Sequence, residues 1–232
     1  MIQEPLILNI ETATGLCSVS LSKGEGLLLY KESVEPNSHS QKLSLLIEEI
    51  FSDYGKDIRR DLNAVAISKG PGSYTGLRIG VSSAKGLAYG LNIPLISVDT
   101  LFLIAFVSRQ KYSDSYYLPM IDARRMEVYS AIYDENLNPL KAISADIVES
   151  DIYNMYHKDK KIVVAGDGAE KCRQVLNDDI YVFDENLTLN AKYMGIISSQ
   201  KYKAREFEEI AYFEPYYLKD FIAKKSTIKG LY

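Results

Sequence analysis

Tryptophan is missing from the sequence, and cysteine and histidine are scarce, with two of each among 232 residues. Cys17 and Cys172 lie in different halves of the chain, so we expect no disulfide framework, and a reduced cytoplasmic setting fits. His39 and His157 are equally isolated, and both are expected at the surface. Because no two histidines share a helical turn, we expect neither a metal site nor peptidase activity.

Basic charge and long apolar runs are also scarce. Lysine and arginine number 27 against 31 aspartates and glutamates, which gives a net charge of −4. Proteins that bind nucleic acid on their own carry clustered basic charge, so we expect no such activity here. We also expect neither a signal peptide nor a membrane span, since no stretch has the required pattern. The remaining composition is that of an ordinary globular protein, with 47% apolar and 25% charged residues.

A glycine-rich segment at residues 64–91 is the most distinctive part of the sequence. Its first residues, 64–68, predict a buried strand, and the glycines and proline at 70–72 predict a tight loop. Ser73 or Thr75 could cap the helix that follows. Glycines inside a helix cost about 1 kcal/mol each relative to alanine. We therefore expect this helix to be packed closely on two sides, by its own sheet and by a second surface.

The loop matches neither of two common phosphate-binding motifs. Gly76 is followed by Leu77 and Arg78, where a Walker A motif needs lysine and then serine or threonine. The loop glycines also miss the spacing of the dinucleotide fingerprint by one residue. The start of the helix could still hold an anion, although a plain strand-to-helix turn accounts for the same residues.

Both halves of the chain show the same predicted order of elements. The first half predicts strands at 6–11, 16–22, 27–34, 64–68 and 94–98, with a helix at 40–54 that starts with a capping box of Ser38 and Gln41. The second half predicts strands at 116–122, 127–133, 140–144, 161–165 and 180–183, with helices at about 147–156, up to 176, and at 189–203. Two tandem βββαβαβ lobes, at 1–102 and 103–232, predict an α/β protein of the actin-like, Hsp70-like and sugar-kinase architecture.

In that architecture a nucleotide binds between the lobes, where the first hairpin of each lobe approaches the phosphates. The first hairpin keeps four degenerate candidates for a phosphate loop: Glu11, Thr12, Thr14 and Gly15. The second hairpin, residues 122–126, has two arginines and no glycine, although close approach to phosphate usually needs glycine. We therefore expect no cofactor on the isolated chain, with Glu11 and Asp122 as strand-end acids that backbone amides satisfy. A free-standing ATP-dependent kinase or ATPase is the alternative.

Three segments carry a specific resemblance to a known family. Residues 69–80 (KGPGSYTGLRIG) with 85–87, residues 10–13 and residues 121–129 resemble the signature segments of the TsaB family, also called YeaZ. The resemblance covers most of residues 6–133. It implies a non-catalytic scaffold in a complex that makes threonylcarbamoyladenosine beside the tRNA anticodon. It also implies that ATP, ADP and metal belong to partner subunits.

The resemblance further implies where a partner binds. Family members are expected to bind the transferase TsaD, together with the ATPase TsaE, through the helix at 40–54 and the glycine-rich helix, and to contact tRNA only through the complex. The expected interface residues are Leu43, Leu46, Ile47, Ile50, Arg78, Ile79, Gly80, Ser83, Leu87 and Gly90. A homodimer could use the same surface when the partner is missing. Two alternatives stay open: both helices only cover the sheet, or the chain is a plain homodimeric interaction protein.

Overall fold

A computed structural model describes residues 4–35, 38–55, 58–158, 160–176 and 179–219 of the chain. The sequence has a lysine-rich tail with Lys219, Lys224, Lys225 and Lys229, and its part after Lys219 lies outside the described residues. Among the described helices, none combines the length and the apolar composition that crossing a bilayer requires.

The first lobe is a five-stranded mixed sheet with helices beside it. Its strands are β1 (Leu6–Glu11), β2 (Cys17–Lys23), β3 (Gly26–Ser33), β4 (Ala64–Gly70) and β5 (Leu95–Asp99), and its helices are α1 (His39–Tyr54), α2 (Ile58–Asp61) and α3 (Tyr74–Leu91). The strand order is β3-β2-β1-β4-β5. The meander β1–β2–β3 is antiparallel, whereas β4 and β5 run parallel to β1. The central strand β1 is buried along its whole length.

The second lobe repeats this arrangement after the helix α4 (Thr100–Lys111). It contains β6 (Tyr116–Asp122), β7 (Glu127–Tyr133), β8 (Pro139–Ile147), β9 (Ile162–Ala165), α5 (Ala169–Cys172), β10 (Tyr181–Asp184) and α6 (Met194–Ala204). The strand order β10-β9-β6-β7-β8 is that of the first sheet, with β6 in the place of β1. The structure therefore confirms the predicted duplication and the α/β, actin-like fold.

Several predicted boundaries were wrong in the second lobe. The helix predicted at about 147–156 is only a single 3₁₀ turn, Asn154–Tyr156, because β8 extends to Ile147. The helix predicted up to residue 176 is limited to the four residues of α5.

In the first lobe, the predicted capping box of α1 is not formed. The Ser38 hydroxyl donates to the Glu35 carbonyl at 2.7 Å and makes no bond to α1.

The helix α4, which the sequence pattern did not predict, joins the two lobes. Asp99 caps it by accepting a hydrogen bond from the Phe102 amide at 3.0 Å. Its buried residues, including Leu101, Leu103 and Ile104, belong to a core that both sheets share. Helix amphipathicity gave no signal because α4 is packed on several sides. The proposed division at residues 102 and 103 falls inside this helix and stays a prediction.

The chain returns to the first lobe after the second sheet. Ser198 on α6 donates to the Asn9 side-chain oxygen of β1 at 2.6 Å, and both residues are buried. Residues 205–219, here called the C-terminal strap, then cross the first lobe. The strap amide of Glu208 donates to the Leu95 carbonyl at 2.8 Å, and Phe213 is buried in the first-lobe core. The strap therefore crosses β5 and packs on the core of the first lobe.

Candidate functional site: the glycine-rich helix and the first hairpin

The predicted strand–loop–helix segment is present. Ser73 is the cap of α3, and its hydroxyl accepts a hydrogen bond from the Gly76 amide at 3.3 Å. The helix ends at Leu91, and Asn92 takes a left-handed conformation that lets its amide bond the last turn. The strap covers the loop from outside, since the Tyr216 amide donates to the Lys69 carbonyl at 2.7 Å. Lys85 on α3 holds the strap by donating to the Phe213 carbonyl at 2.8 Å.

The first half of α3 and its loop are pressed against the hairpin that joins β1 and β2. A Cβ atom added at Gly72 would overlap Ala13, and one added at Gly76 would overlap the Thr12 carbonyl. At Gly80 an added Cβ would overlap the Thr12 hydroxyl. These glycines thus allow the chain's own hairpin to lie against the helix. The expectation that Gly80 belongs to a partner surface is corrected, because it is buried against Thr12 of the same chain.

The second half of α3 is open instead. An added Cβ at Gly86 or Gly90 would meet nothing within 4 Å. Together with Ile79 and Ser83, which are partly buried, these glycines form a stripe along one side of the helix, here called the open face of α3. Tyr89, which is 80% exposed, stands beside it. This is where a second polypeptide could approach the backbone closely.

The other predicted interface residues fall into two groups. Leu43, Leu46, Ile47 and Ile50 fill the core beneath α1, so their burial does not support the expectation that they line a partner surface. Leu45, on the far side of α1, is 51% exposed. On α3, Leu87 is partly buried, and the exposed Arg78 lies over the ring of Tyr74 with its guanidinium carbon 5.6 Å from the ring centre. These placements leave their role in an interface a prediction.

Glu11 is fully buried at the end of β1. Its carboxylate accepts hydrogen bonds from the Ala13 amide at 2.6 Å and from the Ser68 hydroxyl. The pKa of Glu11 is raised from its ordinary value of 4.5 to about 7, mainly by burial and to a smaller extent by the charge of Asp167 in the second lobe. Hydrogen bonds from Ser68 and Ala13 act in the opposite direction and favour the charged form. The carboxyl group therefore belongs to the fold of the hairpin.

The second hairpin has arginines in a backbone conformation that favours glycine. Arg124 and Arg125 both have positive φ, 73° and 50°, a conformation that glycine adopts more readily. Asp122 accepts from the Arg124 amide at 2.8 Å, and the amide of Asp122 donates to Asp167 at 3.0 Å. The prediction that Glu11 and Asp122 are satisfied by backbone amides is confirmed. Asp167 had not been singled out, and its position is evident only once β6 and β9 are paired.

The cleft residues do not fit a magnesium–phosphate site. Glu11 points into the protein interior, and the Thr12 hydroxyl faces Gly80. The Thr14 carbonyl is bonded to the His39 ring at 3.0 Å, which leaves Gly15 as an exposed member of the candidate loop. Within the described residues, no group of three or more acidic, histidine or cysteine side chains is arranged to hold a metal ion.

The placement of the histidines corrects one expectation and leaves another intact. His39 is 8% exposed, so the prediction of a surface residue was wrong. Its ring nitrogen reaches the hairpin because α1 begins next to the β1–β2 turn. His157 is partly buried and bonds the Lys160 carbonyl at 2.7 Å.

The four-residue spacing of Gly76 and Gly80, which places them on one side of α3, was the available signal for the packed hairpin.

The known proteins that are similar to this chain carry the names TsaD, TsaB and YeaZ. The family model described as "TsaD: tRNA N6-adenosine threonylcarbamoyltransferase" matches residues 33–226. Two proteins named tRNA threonylcarbamoyladenosine biosynthesis protein TsaB are similar: that of Escherichia coli is 39% identical over 57% of this chain, and that of Buchnera aphidicola subsp. Baizongia pistaciae is 30% identical over 86%. The matched region spans 56% of the former relative and 92% of the latter. The structure of YeaZ from Pseudomonas aeruginosa superposes with a TM-score of 0.80 at 24% identity, over 92% of this chain and 100% of that one.

Proposed function

Because this chain belongs to the TsaB (YeaZ) family, we propose that it takes part in tRNA threonylcarbamoyladenosine biosynthesis as a non-catalytic scaffold that binds a TsaD homologue. The observation that carries this proposal is the open face of α3. Gly86 and Gly90 weaken a helix without serving any contact inside the monomer. A docking surface accounts for that cost, since flat, low-relief surfaces allow two helices to pack closely.

The partner docks on α3 and on the outer side of α1. Leu45 and Tyr89 are large apolar or aromatic side chains left in water, and such residues mark interfaces when they cluster. The proposed interface contains Leu45, Ile79, Ser83, Gly86, Leu87, Tyr89 and Gly90, together with Arg78. TsaE joins through this complex, and tRNA is contacted only as part of it.

Chemistry belongs to the partner. In this chain the acid at the end of β1 is buried and bonded to Ser68, and the second hairpin places arginines where phosphate approach favours glycine. Nucleotide and metal are therefore assigned to the partner subunits. A free-standing ATPase is the competing function, and calorimetry of ATP with the isolated chain separates the two. Tight binding with hydrolysis would overturn the scaffold assignment.

Nucleoside analysis of tRNA tests the proposed pathway. A bacterial strain depleted of its own TsaB is supplied with this chain or with an empty vector, and threonylcarbamoyladenosine in total tRNA is measured by mass spectrometry. We expect the modified nucleoside to return with the chain, provided that the matching TsaD and TsaE homologues are supplied with it. Unchanged depletion in the presence of a folded chain and both homologues would contradict the proposal. A chain that self-associates and ignores TsaD would instead be a plain homodimeric interaction protein.

A further inference from the structure

A cavity of about 420 Å³ lies between the two lobes, away from the open face of α3. The ends of β4 and β5 contribute Lys69 and Asp99, α4 contributes Phe102, β7 contributes Tyr133, and α6 contributes Lys201. This volume falls within the range of roughly 300–1,000 Å³ that small-molecule sites occupy. A ligand here would touch both lobes at once.

Aromatic and aliphatic side chains make up most of the cavity wall. The rings of Phe102 and Tyr133 pack edge to face, with centres 5.9 Å apart and planes at 78°. Ile143 and Ile197 add aliphatic surface. Such a wall favours the flat or branched apolar body of a ligand over a fully polar one.

The hydroxyl group of Tyr133 makes no hydrogen bond among the described residues, and Tyr133 lines the cavity although most of its side chain is buried. Burial and the charge of Asp99 both raise the pKa of Tyr133, so the group stays a phenol that can donate a proton. Since Tyr133 lines the cavity, a ligand acceptor there would satisfy it.

The lysines around the cavity differ in their ion pairs. Lys69 forms no ion pair with any described residue. The charges of Lys69 and Lys201 both lower the pKa of Asp99, although burial raises that pKa by more. The Asp99 carboxylate already caps α4 through the Phe102 amide. Lys201 also approaches Glu206 at 3.5 Å, but the Glu206 side chain is 60% exposed, and pairs of that kind stabilise little.

The third lysine of the cavity wall adds no free charge. Lys141 is paired with Asp146 at 2.8 Å, and both side chains are largely buried. Lys69 is therefore the wall lysine that has no ion-pair partner within 4 Å among the described residues. A single anionic group on a ligand would supply that partner.

We propose that the interlobe cavity is a binding site for a small organic monoanion with an apolar ring or branched body, held at its anionic group by Lys69 and the Tyr133 hydroxyl. The body of the ligand packs against Phe102 and Ile143, and Lys201 adds a second, weaker attraction. The site is independent of the docking surface on α3. Its ligand is defined by chemistry: one carboxylate-like or sulfonate-like group on an apolar framework.

The fluorescent monoanion 8-anilinonaphthalene-1-sulfonate is a direct probe, and N-phenyl-1-naphthylamine is its uncharged counterpart. Titration of the folded full-length chain measures both affinities. For the sulfonate we expect one saturable site, about tenfold weaker binding by Lys69→Met, and about fivefold weaker binding by Tyr133→Phe. Both variants should bind the uncharged probe as wild type does, because the apolar wall is unchanged. Lys203→Met, on α6 and paired with Glu4 outside the cavity, is the matched control and should bind like wild type.

Thermal unfolding distinguishes this site from dye binding to partly unfolded chain. A ligand of the native state raises the melting temperature, whereas one that prefers unfolded chain lowers it. Ala142→Trp, on the cavity wall, should remove binding of both probes. The proposal is overturned if wild type shows no saturable site, if the dye lowers the melting temperature, or if Lys69→Met and Lys203→Met bind the sulfonate equally.

Discussion

Both halves of α3 contain two glycines whose surroundings differ. In the first half, Gly76 and Gly80 pack directly against the β1–β2 hairpin of the same chain. A methyl group at either position would overlap Thr12. In the second half, Gly86 and Gly90 face open space. The first pair is explained by folding of the monomer, whereas the second pair has no explanation within it. Glycine content alone therefore does not identify a docking surface.

The comparison also changes which substitution can test partner binding. A bulky residue at position 80 would displace Thr12 and disturb the hairpin, so lost binding would have two explanations. A bulky residue at position 86 changes only the open face. The closed half should respond to substitution through stability, and the open half through association.

The largest effect is expected for Gly76→Ala. The added methyl group would collide with a backbone carbonyl, which cannot rotate away, so the hairpin or the helix must shift. We expect a loss of about 3 kcal/mol in the free energy of unfolding, near the upper end for overpacked sites. Urea denaturation followed by circular dichroism measures it. A loss below about 0.5 kcal/mol would show that the hairpin is not packed against α3 as described.

A pH-dependent effect of about the same size is expected at Glu11, which anchors the same hairpin. Its folded pKa of about 7 lies above the ordinary value of 4.5, so the folded chain binds the proton more tightly than the unfolded chain. The stability of the wild type should therefore fall as pH rises from about 4.5 to about 7, by about 3 kcal/mol in total from this group.

Glu11→Gln should remove that slope, because the amide resembles the protonated acid and can keep the bond from Ala13. Between pH 5 and pH 8 the variant should gain about 2 to 3 kcal/mol relative to wild type, as measured by urea unfolding at both values. Parallel pH profiles for the two proteins would mean that Glu11 titrates normally, and the described burial would then be wrong.

The smallest effect is expected on the open half of α3. Gly86→Ala adds a methyl group that meets nothing and removes backbone freedom from the unfolded chain, so we expect a gain of up to about 1 kcal/mol. Urea denaturation of both variants should show that Gly86→Ala raises the free energy of unfolding and that Gly76→Ala lowers it, although the two glycines lie in one helix. Destabilisation by both would erase the distinction between the halves.

Much of the fold followed from the sequence, while the site followed only in part. Apolar runs gave the strands of both lobes, and the spacing of Leu43, Leu46, Ile47 and Ile50 gave the buried side of α1. The same four residues were also assigned to a partner surface, and their burial in the first-lobe core does not support that assignment. The helix α4 was missed because it is buried on several sides and shows little periodicity.

Contacts between distant residues account for the remaining differences. His39 is buried because its ring bonds the Thr14 carbonyl, 25 residues away, and local sequence does not encode that pairing. The distinction between Gly80 and Gly86 likewise depends on where Thr12 lies. Both cases required the tertiary packing of the first hairpin.

The most direct measurement compares the affinity of a TsaD homologue for Gly86→Leu and for Gln200→Leu, each against wild type. Gln200 is an exposed position on α6, so the control adds the same side chain to another helix. If the open face of α3 is the docking surface, Gly86→Leu should bind at least about tenfold more weakly, and Gln200→Leu within about twofold of wild type, with both variants folded. Equal affinity of wild type and Gly86→Leu would contradict the account.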